Sequence, residues 1–432
     1  MKTYNSITNV DVINYLYERG FIAQITNKNI LNSILQSKSI TLYCGFDPTS
    51  DSLHIGHLVP LLCLKKFQKF GHKPIILLGG ATGLIGDPSF KDSERQLNPM
   101  NTIQQWIEKI KSQISSFIDL NSKNHPHNIH IVNNYTWFSS TNILTFLRDI
   151  GKFFSINKMI NKDFIKKRLK EDNCGISYTE FSYNLMQSYD FFYLYKNYGV
   201  ILQIGGSDQW GNIISGIDLI RRIYNKKTYG ITVPLLTTIN NIKFGKTEKN
   251  TIWIDPNKTS PYKFYQYWLN IDDKQVCSFL KIFTDMNIEQ INFLEKKMNN
   301  NYFIPITKTT LAEKITKLIH GKQGLKSAQR ITKNIFYDHP LDLTLEDFNQ
   351  LAKDGIPSII LKKDITLQQA LVESKLATSK SQARYFIESH AITINKIKQL
   401  NKQYIFNNTD RLFNSYTLLK KGKKHSCLIQ WK

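Results

Sequence analysis

The stretch Ile40-Thr-Leu-Tyr43-Cys-Gly45-Phe46-Asp47-Pro48-Thr49-Ser-Asp-Ser-Leu-His54-Ile-Gly56-His57, continued to Gly83, decides the fold. Residues 40–46 are a short β-favouring run closed by the turn pair Asp47-Pro48. Residues 54–70 have helical spacing, with Leu58, Leu61, Leu62 and Leu64 on an apolar side and Lys65, Lys66 and Lys69 on a wet one. Residues 74–78 read as a buried strand and run into the turn Gly79-Gly-Ala-Thr-Gly83. Strand, helix and strand with short joints form a βαβ unit, which requires a parallel sheet in an α/β core.

Working outward, residues 11–35 read as one or two surface helices. Downstream come a helix over 179–189, a strand over 199–204 ending at Gly205-Gly206, a helix over 210–222 and a strand over 231–236. Residues 1–236 are therefore expected to form a Rossmann-like catalytic domain. Residues 237–340 carry a basic loop and then a mostly helical pattern. Acids, Pro and Gly mixed over 341–360 suggest a linker, and 361–432 a small basic α+β module.

The chain has 57 Lys+Arg against 34 Asp+Glu, a net charge of +23. A coding bias toward Lys could spread such charge over solvated faces. From Lys375 to Lys432, however, 12 cations meet only two acids, Glu388 and Asp410, and this local excess favours a polyanionic partner such as nucleic acid. The five cysteines, Cys44, Cys63, Cys174, Cys277 and Cys427, have no metal-site spacing. No protein-bound metal is expected, and reduced thiols in a cytoplasm are. Neither a signal-peptide pattern nor a membrane-length apolar run is present, so no membrane association is expected.

Two common nucleotide loops fail on spacing. Gly245-Lys246-Thr247 matches the tail of a phosphate-binding loop, but the required first glycine is Asn240. Residues 79–86 do not satisfy Gly-x-Gly-x-x-Gly. His54 and His57 instead share one face at the start of a helix, where free N–H groups and the helix dipole favour phosphate. Gly56 between them lets a flat base approach the backbone. Lys243 and Lys246 flank Gly245 in a loop suited to closing over pyrophosphate. Tyr183, Gln187 and Asp190, at i, i+4 and i+7, share one helix face.

Residues 43–57 and 243–247 resemble the two signatures of class I aminoacyl-tRNA synthetases. With Gly80-Ala-Thr-Gly-Leu-Ile-Gly-Asp87-Pro-Ser89 and Gln203-Ile-Gly-Gly206-Ser-Asp208-Gln209-Trp-Gly-Asn212, they resemble the bacterial tyrosyl subgroup over essentially the whole chain. Phe244, Gly245 and Thr247 depart from the general Lys-Met-Ser-Lys-Ser form, as that subgroup does. The resemblance implies tyrosine activation with ATP and Mg2+, transfer to tRNA(Tyr), a homodimer and a C-terminal S4-like RNA-binding domain.

It also implies residue roles. Tyr43 and Asp190 would bracket the substrate hydroxyl; Asp87, Tyr183 and Gln187 would hold the ammonium, with Gln203 and Gln209 nearby. Gly45, Asp47, Gly56, Gly206, Asp208 and Thr247 would line the ATP site. Thr49, His54, His57, Lys243 and Lys246, with Lys91 and Arg95, would stabilise phosphate charge. Lys380, Arg384, Lys396, Lys398, Lys420, Lys421, Lys423 and Lys424 would meet RNA. Asp87 also fits an Asx turn before Pro88. Two alternatives share parts of this pattern: a tryptophanyl-type synthetase, and a non-catalytic RNA-binding paralogue.

Overall fold

In the computed structural model, residues 11–89, 97–118, 128–170, 175–236, 251–298, 302–336, 342–362, 365–422 and 425–432 are described. The chain divides into two compact units, one of Met1–Ile254 with Lys274–Asn299 and one of Asp255–Asp273 with Asn300–Lys432.

The first unit is built on six strands: β1 (Gln24–Ile25), β2 (Thr41–Phe46), β3 (Lys73–Leu78), β4 (His130–Asn133), β5 (Val200–Gly206) and β6 (Tyr229–Val233). Their spatial order is β1-β6-β5-β2-β3-β4, parallel except for β1, which pairs antiparallel with β6. The chain steps outward from β2 to β3 and β4, then returns to β5 and leaves on the other side. The order therefore reverses between β2 and β5, and a crevice opens beyond the carboxyl ends of these strands. β3 is buried along Pro74–Leu78, as a central strand covered on both faces must be.

The expected βαβ unit is present, with the helix Ile55–Lys69 between β2 and β3. The next expected helix runs further than its pattern suggested, over Tyr178–Tyr198, because Phe191 and Leu194 continue its buried face. Ser177 caps its start, and Gly199 at φ +64° ends it in the left-handed conformation. The last strand is displaced from 231–236 to Tyr229–Val233, since Pro234 has no N–H to extend the ladder. Within residues 11–35, the helix Val12–Glu18 and the start of the helix Lys28–Ser37 are separated by β1, which helical periodicity did not reveal.

The expected domain limits also need correction. Residues 251–254 return to the first unit, where Ile254 N–H donates to the Leu53 carbonyl (2.9 Å) and Ile55 N–H to that of Ile252 (3.2 Å). In the second unit, the helices Pro261–Leu269 and Phe303–Phe336 lie beside a sheet of β7 (Ser358–Leu361), β8 (Ile392–Ile394), β9 (Ile397–Lys398), β10 (Tyr416–Lys421) and β11 (His425–Trp431). The order is β7-β11-β10-β8-β9. The expected linker is not one across its described part. Residues 342–360 contain the helix Leu345–Gln350, a π-helical turn over Leu351–Gly355 and most of β7, and Phe348 and Leu351 are fully buried.

Candidate active site

A cleft of about 1050 Å³ opens at the β2–β5 switch point. One wall is the N-terminus of the helix Ile55–Lys69, where two histidines form the cap. His54 Nδ1 accepts from the Gly56 N–H (3.0 Å), and His57 Nδ1 accepts from the His54 N–H (3.2 Å). The rings stack with centroids 3.8 Å apart. Because each Nδ1 is an acceptor, each proton sits on Nε2. Burial pushes His54 down to about 4, and burial and then its neighbour push His57 well below the usual imidazole range. Both rings are neutral N–H donors near pH 7. Gly45, Thr49 and Gly56 lie on the same cleft. Among the described residues a Cβ on Gly45 would meet only Leu77, at 3.9 Å, which leaves room there for a ligand.

Tyr43 and Asp190 lie buried on the lining. Tyr43 packs against Phe191 with ring centroids 5.4 Å apart and planes tilted by 56°, and its hydroxyl has no hydrogen-bond partner among the described residues. Burial, then the Asp190 charge, raises the Tyr43 phenol well above its usual range. The Asp190 carboxyl receives Trp137 Nε1–H at 2.8 Å and Asn134 Nδ2–H at 3.0 Å. Burial pushes it up to about 8 against those two donors. Asn134 also donates to Thr82 Oγ1 (2.9 Å), Thr82 to Asp47 (2.7 Å), and Tyr183 to the other Asp47 oxygen (2.7 Å).

A second network surrounds Asp87. Its carboxylate accepts the Ser89 N–H (3.0 Å), the Asx turn expected before Pro88, and Gln209 Nε2–H (2.6 Å). Asn212 donates to both Gln187 (3.0 Å) and Gln209 (3.3 Å). Gln203 is buried with its side-chain oxygen unpartnered among the described residues. Asp208 and Gly206 line the far wall, where a Cβ on Gly206 would come within 2.5 Å of Asp208 Oδ1. The sequence reading gave no role to Asn134, Trp137, Thr82 or Asn212; Thr82 and Asn212 lie inside the quoted motifs, whereas Asn134 and Trp137, just beyond β4, reach the site through strand order and carry no pattern of their own.

The lining contains Asp47, Asp87, Asp190 and Asp208, and no Lys or Arg among the described residues. The expected cations Lys91, Arg95, Lys243 and Lys246, with Thr247, lie outside the described residues. Leu236 and Thr251, which flank the segment holding Lys243 and Lys246, both line the cleft. Trp253 forms an isolated bridge with His54.

In the second unit, Lys380, Arg384 and Lys398 are exposed, and Arg384 donates to Gln368 (3.1 Å). Lys396 is half-buried. The Lys420 amine donates to the Ile335 carbonyl, and the Lys421 amine donates to that of Leu376 (2.7 Å) while lying 4.6 Å from the Phe386 ring. These two amines are committed to the protein, which their sequence position did not reveal. Lys423 and Lys424 lie outside the described residues.

The family of tRNA synthetases class I (W and Y) matches residues 35–337, more than half the chain. The chain belongs to that family of class I aminoacyl-tRNA synthetases. The tyrosine–tRNA ligase SYY-like C-terminal domain matches residues 347–429. The tyrosine–tRNA ligase of Blochmanniella floridana is 68% identical over 421 residues, 98% of this chain and 99% of its own. That of Yersinia pseudotuberculosis serotype O:1b is 55% identical over 425 residues, 98% of this chain and 100% of its own. A C-terminally truncated mitochondrial tyrosyl-tRNA synthetase of Aspergillus nidulans has a TM-score of 0.67 at 28% identity, covering 76% of this chain and 95% of that one. Within the class, the chain belongs to the tyrosine–tRNA ligases and is an enzyme of the ligase type. No helix among the described residues is long and apolar enough to cross a membrane.

Proposed function

We propose that the cleft joins L-tyrosine to Mg·ATP as tyrosyl-adenylate, and that the tyrosyl group then passes to the 3′-terminal adenosine of tRNA(Tyr). The observation that carries this reading is the buried pair Tyr43 and Asp190. A phenol hydroxyl between them would meet one unpartnered hydroxyl and one carboxyl with lone pairs to spare. Asp87, Tyr183 and Gln187, with Gln203 and Gln209 behind them, suit the substrate ammonium, and Asp208 suits a ribose hydroxyl.

In the first step a tyrosine carboxylate oxygen attacks the α-phosphorus, and the bond to pyrophosphate breaks. In the second a ribose hydroxyl attacks the acyl carbon, and AMP leaves. The substrates supply nucleophile and leaving group at each step, so the protein works by positioning and by stabilising charge. Neutral His54 and His57 offer Nε2–H donors beside Thr49 and the backbone of Gly45 and Gly56. Lys243, Lys246, Lys91 and Arg95 are assigned to the phosphates, and Mg2+ arrives with them as part of the substrate.

Tyrosine-dependent ATP–pyrophosphate exchange, with tryptophan as the comparison amino acid, tests the reading. Tyrosine should drive exchange and tryptophan should not; exchange driven by tryptophan, or by neither, overturns it. Lys246→Ala should slow exchange by about 3 kcal/mol in the transition state while leaving the tyrosine Kd within about twofold. Exchange at the parent rate would remove that lysine from the assignment.

Lys380, Arg384 and Lys398 are proposed to meet the tRNA backbone. A homodimer is also inferred, and the exposed apolar side chains Ile143 (64% exposed), Leu144 (73%) and Ile156 (63%) support it. Cys44, Cys63, Cys277 and Cys427 are free and buried, which suits a reducing cytoplasm.

A further inference from the structure

The segment 342–355 has the composition of a linker and the environment of a core. Asp347 is fully buried at the start of the helix Leu345–Gln350. It accepts Arg330 Nε–H (2.6 Å) and Nη2–H (2.9 Å), the Ser327 hydroxyl (2.6 Å) and the Thr344 N–H (3.0 Å). Arg330 and Ser327 belong to the helix Phe303–Phe336, so one carboxylate fastens the segment to that helix. Asp354 does the same toward the helix Pro261–Leu269, accepting the N–H (2.8 Å) and hydroxyl (2.5 Å) of its cap Ser260. Gln350 accepts from the Tyr262 N–H (3.2 Å) and donates to Ser327 (2.9 Å).

The opposite side of the same segment is fastened to the C-terminal sheet. Phe348 stacks on Tyr416 of β10 at 5.5 Å with rings 11° apart, and the Tyr416 hydroxyl donates to Asn349 (2.7 Å). Phe348 and Leu351 share one buried cluster with Tyr262, Ile331 and Ile335 of the two helices and Leu418 and Leu428 of the sheet. Gly355 is packed so closely that a Cβ there would come within 3.0 Å of the Tyr262 ring.

We propose that residues 342–355 are a rigid brace that holds the C-terminal sheet in one orientation against the two helices, with Arg330, Asp347 and Phe348 as positioning residues for the tRNA step. Asp347 is fully buried while Arg330 is 38% exposed, so the bidentate pair ties a core carboxylate to the rim of the helix and fixes its direction as well as its contact. A module already oriented loses less freedom when it binds, so the brace lowers the entropic cost of engaging tRNA. Tyrosine activation needs no tRNA and is independent of it. The proposal rests on the reading of the C-terminal module as the RNA-binding part.

The test uses the full chain and four variants. Asp347→Asn removes the charge that holds Arg330, and Tyr416→Leu removes the stacking from the sheet side without touching the ion pair. Lys380→Ala/Arg384→Ala removes exposed cations and leaves the brace intact. Asp347→Asn and Tyr416→Leu should each raise the KM for tRNA in aminoacylation by roughly fivefold or more. They should leave tyrosine-dependent exchange within about twofold and open residues 342–362 to proteolysis. Arg330→Lys, which keeps a cation, should fall between parent and Asp347→Asn. If Asp347→Asn does not fold, Tyr416→Leu carries the same expectation. A parental KM for tRNA in a brace variant that is cleaved at 342–362 overturns the proposal, and so does a brace variant that stays uncleaved. If the cation variant alone raises KM, the brace is wrong and the RNA reading stands; if the cation variant leaves KM unchanged, the RNA reading itself fails.

Discussion

At the residue scale, the buried pair on the cleft lining defines what the substrate must bring. Tyr43→Phe removes the hydroxyl proposed to partner the substrate phenol and should weaken tyrosine binding by about 1 kcal/mol, roughly fivefold. Asp190→Ala should cost more, because Trp137 and Asn134 then point buried N–H groups at nothing. Equilibrium dialysis with labelled tyrosine measures both, and equal affinities for parent and variants would remove the pair from recognition. The histidine cap has a pH signature. Since His54 is lowered to about 4, the unfolded chain takes up a proton between about pH 6.5 and 4 that the folded chain refuses. Folding stability therefore rises with pH across this window and is lost on acidification. His54→Asn should flatten the dependence of Tm on pH there, and an unchanged slope would contradict the neutral cap. The two histidines were legible in the sequence because the signature is contiguous. Their tautomers were not, since these depend on which backbone N–H groups turn toward Nδ1.

Among elements, the helix Tyr178–Tyr198 matters most, because Tyr183, Gln187 and Asp190 ride on it. Its first turn is pinned by a salt bridge between Arg168 and Glu180 at 3.1 Å, with side chains only 3% and 2% exposed. Glu180→Leu leaves Arg168 buried without its carboxylate and should cost about 3–5 kcal/mol of stability in urea unfolding. The double change Arg168→Met/Glu180→Leu should recover most of that loss; if it recovers nothing, the pair is not what holds the turn. Periodicity showed the helix and the βαβ unit, because both follow from local apolar spacing. It could not show β1, whose two residues form a strand only by pairing with β6, far along the chain. Nor could it show the order in 342–355. Acids and glycine signal a loop locally, whereas here Asp347 completes the capping box with Thr344 and is an ion-pair partner, and Gly355 admits the Tyr262 ring.

For the molecule as a whole, charge is unevenly shared. The chain carries +23, yet the described lining of its cleft has four aspartates and no Lys or Arg. Asp190, raised to about 8, adds little negative charge near pH 7; the other lining carboxyls draw in an ammonium and repel phosphate except where the proposed cations Lys91, Arg95, Lys243 and Lys246 meet it. At about 6 Å and an effective dielectric of ~20, one added positive charge changes the energy of a nearby anion by roughly 3 kcal/mol. The acidic lining therefore implies thermodynamic coupling between the two small substrates, with the amino acid as the preferred first arrival. Tyrosinol carries the ammonium and phenol without the reactive carboxylate, so it isolates this effect. The Kd for ATP should tighten at least about fivefold when tyrosinol is bound, and the Kd for tyrosinol should tighten by the same factor with ATP. An ATP Kd indifferent to tyrosinol would mean that the aspartates do not repel the nucleotide. If the coupling holds, the cleft commits ATP chiefly when the amino acid to be activated is already in place, and the charge of the lining itself helps to suppress idle turnover of nucleotide.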